Sequence, residues 1–239
     1  MYNLHDKLHK VHDRVHAAAT LAGRSTKSVQ LLAVSKTRPA SSVKALYEAG
    51  QRIFGENYLQ EALEKQSLLS ALDIEWHFIG PIQSNKTQDI AQHFSWVHSV
   101  DRFKIANRLN DQRPIDLPPL NICLQVNVDN EASKSGLDLH HQDELLNLAI
   151  AVSDLPHLCL RGLMAIPMAC SDQHKQREAF AKVATAFDCI RSSLNKLGID
   201  VSAFDTLSMG MSGDMEAAIA EGATIVRVGT DIFGPRNDQ

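Results

Sequence analysis

LLAVSKTRP, residues 31–39, is an apolar run that drives into a lysine, Lys36, and stops at Pro39. A short run of Leu, Ala and Val closed by a proline reads as a buried strand. Its amine end is either a solvated cap or a reactive group at the mouth of a pocket. Seven further runs of the same kind follow it: residues 51–57, 74–80, 94–100, 120–128, 158–167, 204–210 and 223–229, which with 28–36 make eight. Helix-like stretches at 41–50, 59–72, 86–92, 102–112, 140–153, 174–197 and 214–222 separate them. Eight strands alternating with helices predict an α/β chain, a (β/α)8 TIM-type barrel. The competing arrangement is an open doubly wound sheet, but no G-x-G-x-x-G follows the first strand.

Residues 2–22 precede the first strand as an extra helix, with Leu4, Leu8, Val11, Val15, Ala18 and Ala22 forming an apolar stripe at helical spacing. The expectation is therefore one domain over 1–239, with residues 1–25 packed on the barrel. A chain of 239 residues buries enough surface to fold without a disulfide or a metal. None of the four cysteines forms a C-x-x-C pair, and a reducing cytoplasmic setting is expected. With 24 Lys and Arg against 28 Asp and Glu, the net charge of −4 argues against nucleic acid as a partner. No apolar run reaches the ~18 residues of a membrane span. The stretch MYNLHDKLHKVHDRVH has no apolar h-region, so no secretory signal is expected. His5, His9, His12 and His16 share a face of the first helix, which reads as a polar flank; no metal is expected there.

In such barrels the chemistry collects where the strands end. The first strand ends on Lys36, the second on Asn57, and the third carries His77. The fifth runs through Asn127 to Lys134-Ser135-Gly136, and the sixth passes Met164 to Pro167. The seventh ends in SMGMSGD (208–214), beginning at Ser208 and opening a helix at Asp214. Backbone N–H groups of such a turn, with a helix behind them, suit an anion. Ser212, Gly213, Gly229 and Thr230 are the natural donors, the alternative being a plain glycine-rich turn. Arg227 sits between Val226 and Val228 and, by period two, faces away from them. It is either half of a buried salt bridge or a ligand contact. A strand-end lysine, an anion loop and a buried arginine together suit a phosphorylated carbonyl compound held as a Schiff base, such as pyridoxal 5′-phosphate (PLP) or the substrate of a lysine aldolase.

AVSKTRP, IFGENY, WHFIGPIQSNK, VNVDNEASKSG, RGLMAIP, SMGMSGD and VRVGTDIFG, in this order, resemble the pyridoxal-phosphate homeostasis proteins. These are the YggS-like single-domain relatives of the alanine racemase N-terminal barrel. The resemblance spans about residues 4–234. It implies PLP as cofactor, Lys36 as the Schiff-base lysine, and Asn57, His77, Met164 and Ser208 around the cofactor. It implies Ser212, Gly213, Gly229 and Thr230 at the phosphate, Arg227 at the pyridine nitrogen, and Lys134 near the pocket mouth. It further implies a role in vitamin B6 balance without catalytic turnover, with no catalytic residue to name. Apo PLP-dependent enzymes are then the expected transient acceptors, and a monomer is expected. Arg38 departs from the lysine common in the family. The alternative is a PLP-dependent amino-acid racemase, but such racemases add a second domain with a catalytic tyrosine. This chain reaches Gln239 directly after the eighth strand, so that domain is expected to be absent.

Overall fold

In the computed structural model, which describes residues 4–129 and 135–235, the eight apolar runs form one closed parallel ring. The strands are β1 (Gln30–Val34), β2 (Ile53–Glu56), β3 (Glu75–Phe78), β4 (Trp96–Val100), β5 (Leu120–Asn127), β6 (Leu137–Asp138), β7 (Leu158–Ala165), β8 (Thr206–Ser208) and β9 (Ile225–Val228). All pairings are parallel. β1 joins β2 on one side and β9 on the other, and β4 pairs with β5 to complete the circle. β6 is a two-residue spur outside the ring, paired to the end of β5. Between and around the strands lie α1 (Leu4–Leu21), α2 (Ala40–Glu48), α3 (Leu59–Leu68), α4 (Thr87–His93), α5 (Phe103–Gln112), α6 (Gln142–Ser153), α7 (Gln173–Lys196), α8 (Met215–Ala220) and α9 (Thr230–Phe233). This is a (β/α)8 barrel in a single domain, as the sequence rhythm predicts. β6 and α9 are the unanticipated elements, because two and four residues are too few to leave a periodic signal.

Strand periodicity divides the core in two. Leu31, Ala33, Phe54, Trp76, Phe78, Val97, Val226 and Val228 belong to the large apolar layer between the ring and its helices. Leu32, Trp96, Cys123, Met164 and Ile225 form a separate, smaller cluster inside the ring. His77, His98, Ser208 and Arg227 are also buried, on alternate positions from the outward residues of their strands. α1 buries Leu8, Val11, Val15, Ala18 and Ala19, and it packs against α2, α8 and α9. At Gly162, where φ is +150°, a Cβ would lie 1.9 Å from the Thr206 carbonyl oxygen. Only glycine lets β7 approach β8 there. All four cysteines are free thiols, and no helix among the described residues is long and apolar enough to cross a membrane.

Candidate functional site

A cavity of about 310 Å³ opens at the C-terminal ends of the strands. Lys36, Asn57, Ser212, Gly213, Arg227, Gly229 and Thr230 line it, joined by Val34, Arg38, Ile79, Ile166, Met211, Phe233 and Gly234. Seven of the residues singled out in the sequence therefore share one cavity. His77, Met164 and Ser208 do not line the cavity. Met164 packs with Leu32, Trp96, Cys123 and Ile225 inside the ring, and His77 and Ser208 are fully buried there. Their faces follow from strand parity, but their depth along the barrel does not, and depth separates them from the cavity. Lys134 lies outside the described residues.

Lys36 is half-buried, two residues past β1. The backbone around it is held from behind by α3. Lys65 is nearly buried and donates from Nζ to Ser35 O (2.7 Å) and Glu56 Oε1 (2.7 Å), while Ser35 Oγ donates to the same carboxylate oxygen at 2.6 Å. Glu61, which also pairs with Lys65, accepts the Thr37 N–H at 2.6 Å. Thr37 has φ +63°, a conformation that a β-branched residue rarely adopts. The Glu61 contact thus fixes the sharp turn that directly follows Lys36. Burial pushes the Glu56 carboxyl above its usual range, and the Lys65 ammonium draws it back.

The opposite wall is made by two short loops. After β8, Met211 N–H donates to Asp214 Oδ1 (2.6 Å) and Asp214 N–H donates to Met211 O (3.1 Å), which closes a turn around Ser212 and Gly213. Gly210 enters it at φ +92°, and a Cβ there would lie 2.6 Å from the Ala218 Cβ. After β9, Gly229 caps α9, and a Cβ on it would come 3.2 Å from the Val34 carbonyl oxygen. The N–H groups of Ser212, Gly213, Gly229 and Thr230 donate to no described residue. They are free to meet an anion.

Arg14 of α1 joins the two loops. Its Nε donates to Glu216 (2.8 Å), its Nη1 pairs with Asp231, and its Nη2 donates to Ser212 O at 3.2 Å. Nothing in the spacing of α1 signals this role. Ile79 and Ile166, by contrast, share strand parity with His77 and Met164 and were legible on that ground. Arg38, the departure from lysine, donates to Gly234 O (2.6 Å) and Pro235 O (2.7 Å), tying the β1 loop to the segment after α9.

Arg227 is 4% exposed and donates to Ser208 Oγ (2.9 Å), Ser208 O and Ala165 O (2.8 Å). Burial lowers its pKa to about 10, against the pull of Asp214 and Cys123, so it stays cationic at neutral pH. No carboxylate pairs with it directly among the described residues, so the simple salt-bridge reading does not hold. Asn57 Oδ1 is buried with no hydrogen-bond partner among the described residues, which leaves an acceptor for a ligand's donor group. A lysine, a guanidinium and two sets of free N–H groups thus converge on a space large enough for a small phosphorylated ring.

The chain matches the alanine racemase N-terminal domain family over residues 8–237. It is 56% identical over 238 residues to the pyridoxal phosphate homeostasis protein of Pseudomonas aeruginosa, covering 99% of this chain and 97% of that one. It is 50% identical over 240 residues to the protein of the same name from Escherichia coli, covering 99% and 98%. Among solved structures, PipY of Synechococcus elongatus with PLP bound superposes with a TM-score of 0.77 at 38% identity, over 92% of this chain and 100% of PipY. An alanine racemase from Clostridium difficile reaches a TM-score of 0.70 at 15% identity, over 99% of this chain and 58% of the racemase, a likeness of fold alone.

Proposed function

We propose, because this chain belongs to the pyridoxal phosphate homeostasis proteins of the alanine racemase N-terminal domain family, that its cavity holds PLP as a Schiff base on Lys36. In this reading the protein serves intracellular vitamin B6 balance without a conventional catalytic turnover. The observation that carries the reading is the convergence of Lys36, Arg227 and the Ser212–Gly213 and Gly229–Thr230 loops on one cavity. PLP supplies a reactive aldehyde, an electron-withdrawing ring and a phosphate dianion.

The residues present fit each of these groups. The free N–H groups of the two loops, with the Ser212 and Thr230 hydroxyls, take the phosphate. Asn57 lines the same cavity with an unused side-chain acceptor. Arg227 faces the ring nitrogen. A guanidinium only donates hydrogen bonds, so it holds that nitrogen unprotonated and weakens the ring as an electron sink. That electrostatic choice suits storage and release better than carbanion chemistry. Apo PLP-dependent enzymes are the natural acceptors of the released cofactor.

A borohydride trap tests the assignment. The protein is incubated with PLP, reduced, digested and mapped by mass spectrometry. A pyridoxyl group confined to the Lys36 peptide, and absent from Lys36→Ala, is expected. No adduct, or label scattered over surface lysines, overturns the reading. The racemase alternative is separated by incubation with D- and L-alanine: turnover that disappears in Lys36→Ala overturns the non-catalytic role.

A further inference from the structure

Arg227 is the upper end of a line of hydrogen bonds that runs down the inside of the barrel. Below its Nη1 contact, Ser208 Oγ lies 2.7 Å from His98 Nδ1, His98 Nε2 lies 2.9 Å from His77 Nδ1, and His77 Nε2 lies 2.8 Å from Glu75 Oε1. The four upper members are buried. Glu75 opens β3, and its side chain is 44% exposed. It lines a second cavity, of about 420 Å³, at the N-terminal ends of the strands, with Lys27, Arg161 and Asp205. The line therefore connects one mouth of the barrel to the other.

The chemistry of its ends sets its direction. A guanidinium can only donate and an ionised carboxylate can only accept. With Glu75 ionised, His77 must carry its proton on Nε2, which leaves its Nδ1 to accept from His98 Nε2–H. His98 Nδ1 then accepts the Ser208 hydroxyl proton, and the Ser208 oxygen accepts from Arg227. Every donor meets an acceptor. If Glu75 is protonated on Oε1, its O–H can donate to His77 Nε2 instead. In that arrangement both rings carry their protons on Nδ1, and the Ser208 oxygen faces two donors. One proton at the half-exposed end thus opens a second polarity to the whole line.

The surroundings favour the first polarity. Burial lowers the pKa of His77 against the pull of Glu75, and pushes His98 well below its ordinary range with His77 and Arg227 adding to the effect, so both rings are neutral at neutral pH. The bond from His77 holds the Glu75 carboxyl below its usual range, with Arg161 adding to the effect. Arg161 itself pairs with Asp205 at 2.8 Å and lies over Trp96, which stacks on His77. At the upper end Arg227 feels Asp214 and Cys123.

We propose that Glu75, His77, His98 and Ser208 form an oriented relay that carries the ionisation state of Glu75 at the N-terminal mouth to Arg227 in the cofactor cavity. They are positioning residues for Arg227. The ligand readout of this proposal rests on the PLP reading of the cavity, but the orientation of the rings does not, so the test has two arms.

In the first arm, the ligand-free protein labelled with 15N at histidine is titrated by NMR. His77 and His98 are expected to carry their protons on Nε2 at pH 7 and to switch together to Nδ1 as Glu75 is protonated, whereas Glu75→Gln does not switch. Protons on Nδ1 at pH 7, rings in the wild type that do not respond to acid, or a ring that takes a second proton instead of switching, overturn the relay. In the second arm, the absorbance of PLP-loaded protein is titrated in the wild type, E75Q, S208A and the double variant. Removing the Glu75 charge is expected to lower the chromophore's midpoint by about half a unit to one unit, and the shift should vanish in the S208A background. An equal shift in both backgrounds, or none in either, overturns transmission through Ser208. If PLP does not bind at all, the cavity reading falls on its own and the first arm still decides the relay.

Discussion

Two buried polar networks flank the cavity, and they solve the same problem in opposite ways. Behind Lys36, Lys65 and Glu56 form an ion pair in direct contact, their side chains 5% and 0% exposed. Inside the ring, Glu75 and Arg227 are separated by a serine and two neutral histidines. Buried ions held in contact fix geometry, and removing one strands the other at high cost. Ions joined through neutral groups fix little, but neutral rings can reverse their polarity. The first network therefore suits a clamp on the Lys36 turn, and the second suits communication.

The largest effect expected from this contrast is on the clamp. Lys65→Ala leaves Glu56 buried and unpaired and should cost about 3–5 kcal/mol in urea unfolding. Adding Glu56→Gln to a Lys65→Met variant should restore most of that loss; a double variant as unstable as Lys65→Ala would mean that the cost lies in packing and not in charge.

Arg227→Ala comes next. It removes hydrogen bonds to Ser208 and Ala165 without stranding a directly paired ion, so about 1–3 kcal/mol of stability is expected to go. PLP should bind at least about tenfold more weakly, which corresponds to one lost charged hydrogen bond, with an altered absorbance spectrum in the same titration. A stability loss equal to that of Lys65→Ala would erase the distinction between the networks.

The smallest effect is the pH dependence of Glu75→Gln. The folded-state pKa of Glu75 is depressed, so its contribution is present above the ordinary carboxylate pKa and is lost as pH falls through the depressed value. Melting temperatures of wild type and variant, measured from about pH 6 down to pH 3, should therefore converge on acidification. Parallel curves would mean that Glu75 is no more stable ionised in the folded chain than in the unfolded one.

Much of the site was legible along the chain because its residues sit at strand ends, and apolar runs mark where strands end. Lys36, Asn57, Arg227 and the loops at 212–213 and 229–230 reach one cavity for that reason. His77 shows where such reasoning stops. Period two places it on the inner face of β3, yet it lies inside the ring and not on the cavity wall. Glu61 and Lys65 read as an ordinary pair one helical turn apart, and nothing local says that Lys65 is buried against Ser35. Arg14 carried no signal at all, since its partners lie about two hundred residues away.

The sequence by itself determined the ring of eight strands, the face that each strand residue presents, and the residue types gathered at the strand ends. These are local properties, written in hydrophobic periodicity and in the punctuation of proline and glycine. Only the tertiary structure decided how deep each inward residue lies and which of them touch. Depth depends on the register between neighbouring strands, and a strand's own pattern carries no record of its neighbour's stagger. His98 and Ser208 stand 110 residues apart and meet at 2.7 Å because closure of the barrel sets them at one level.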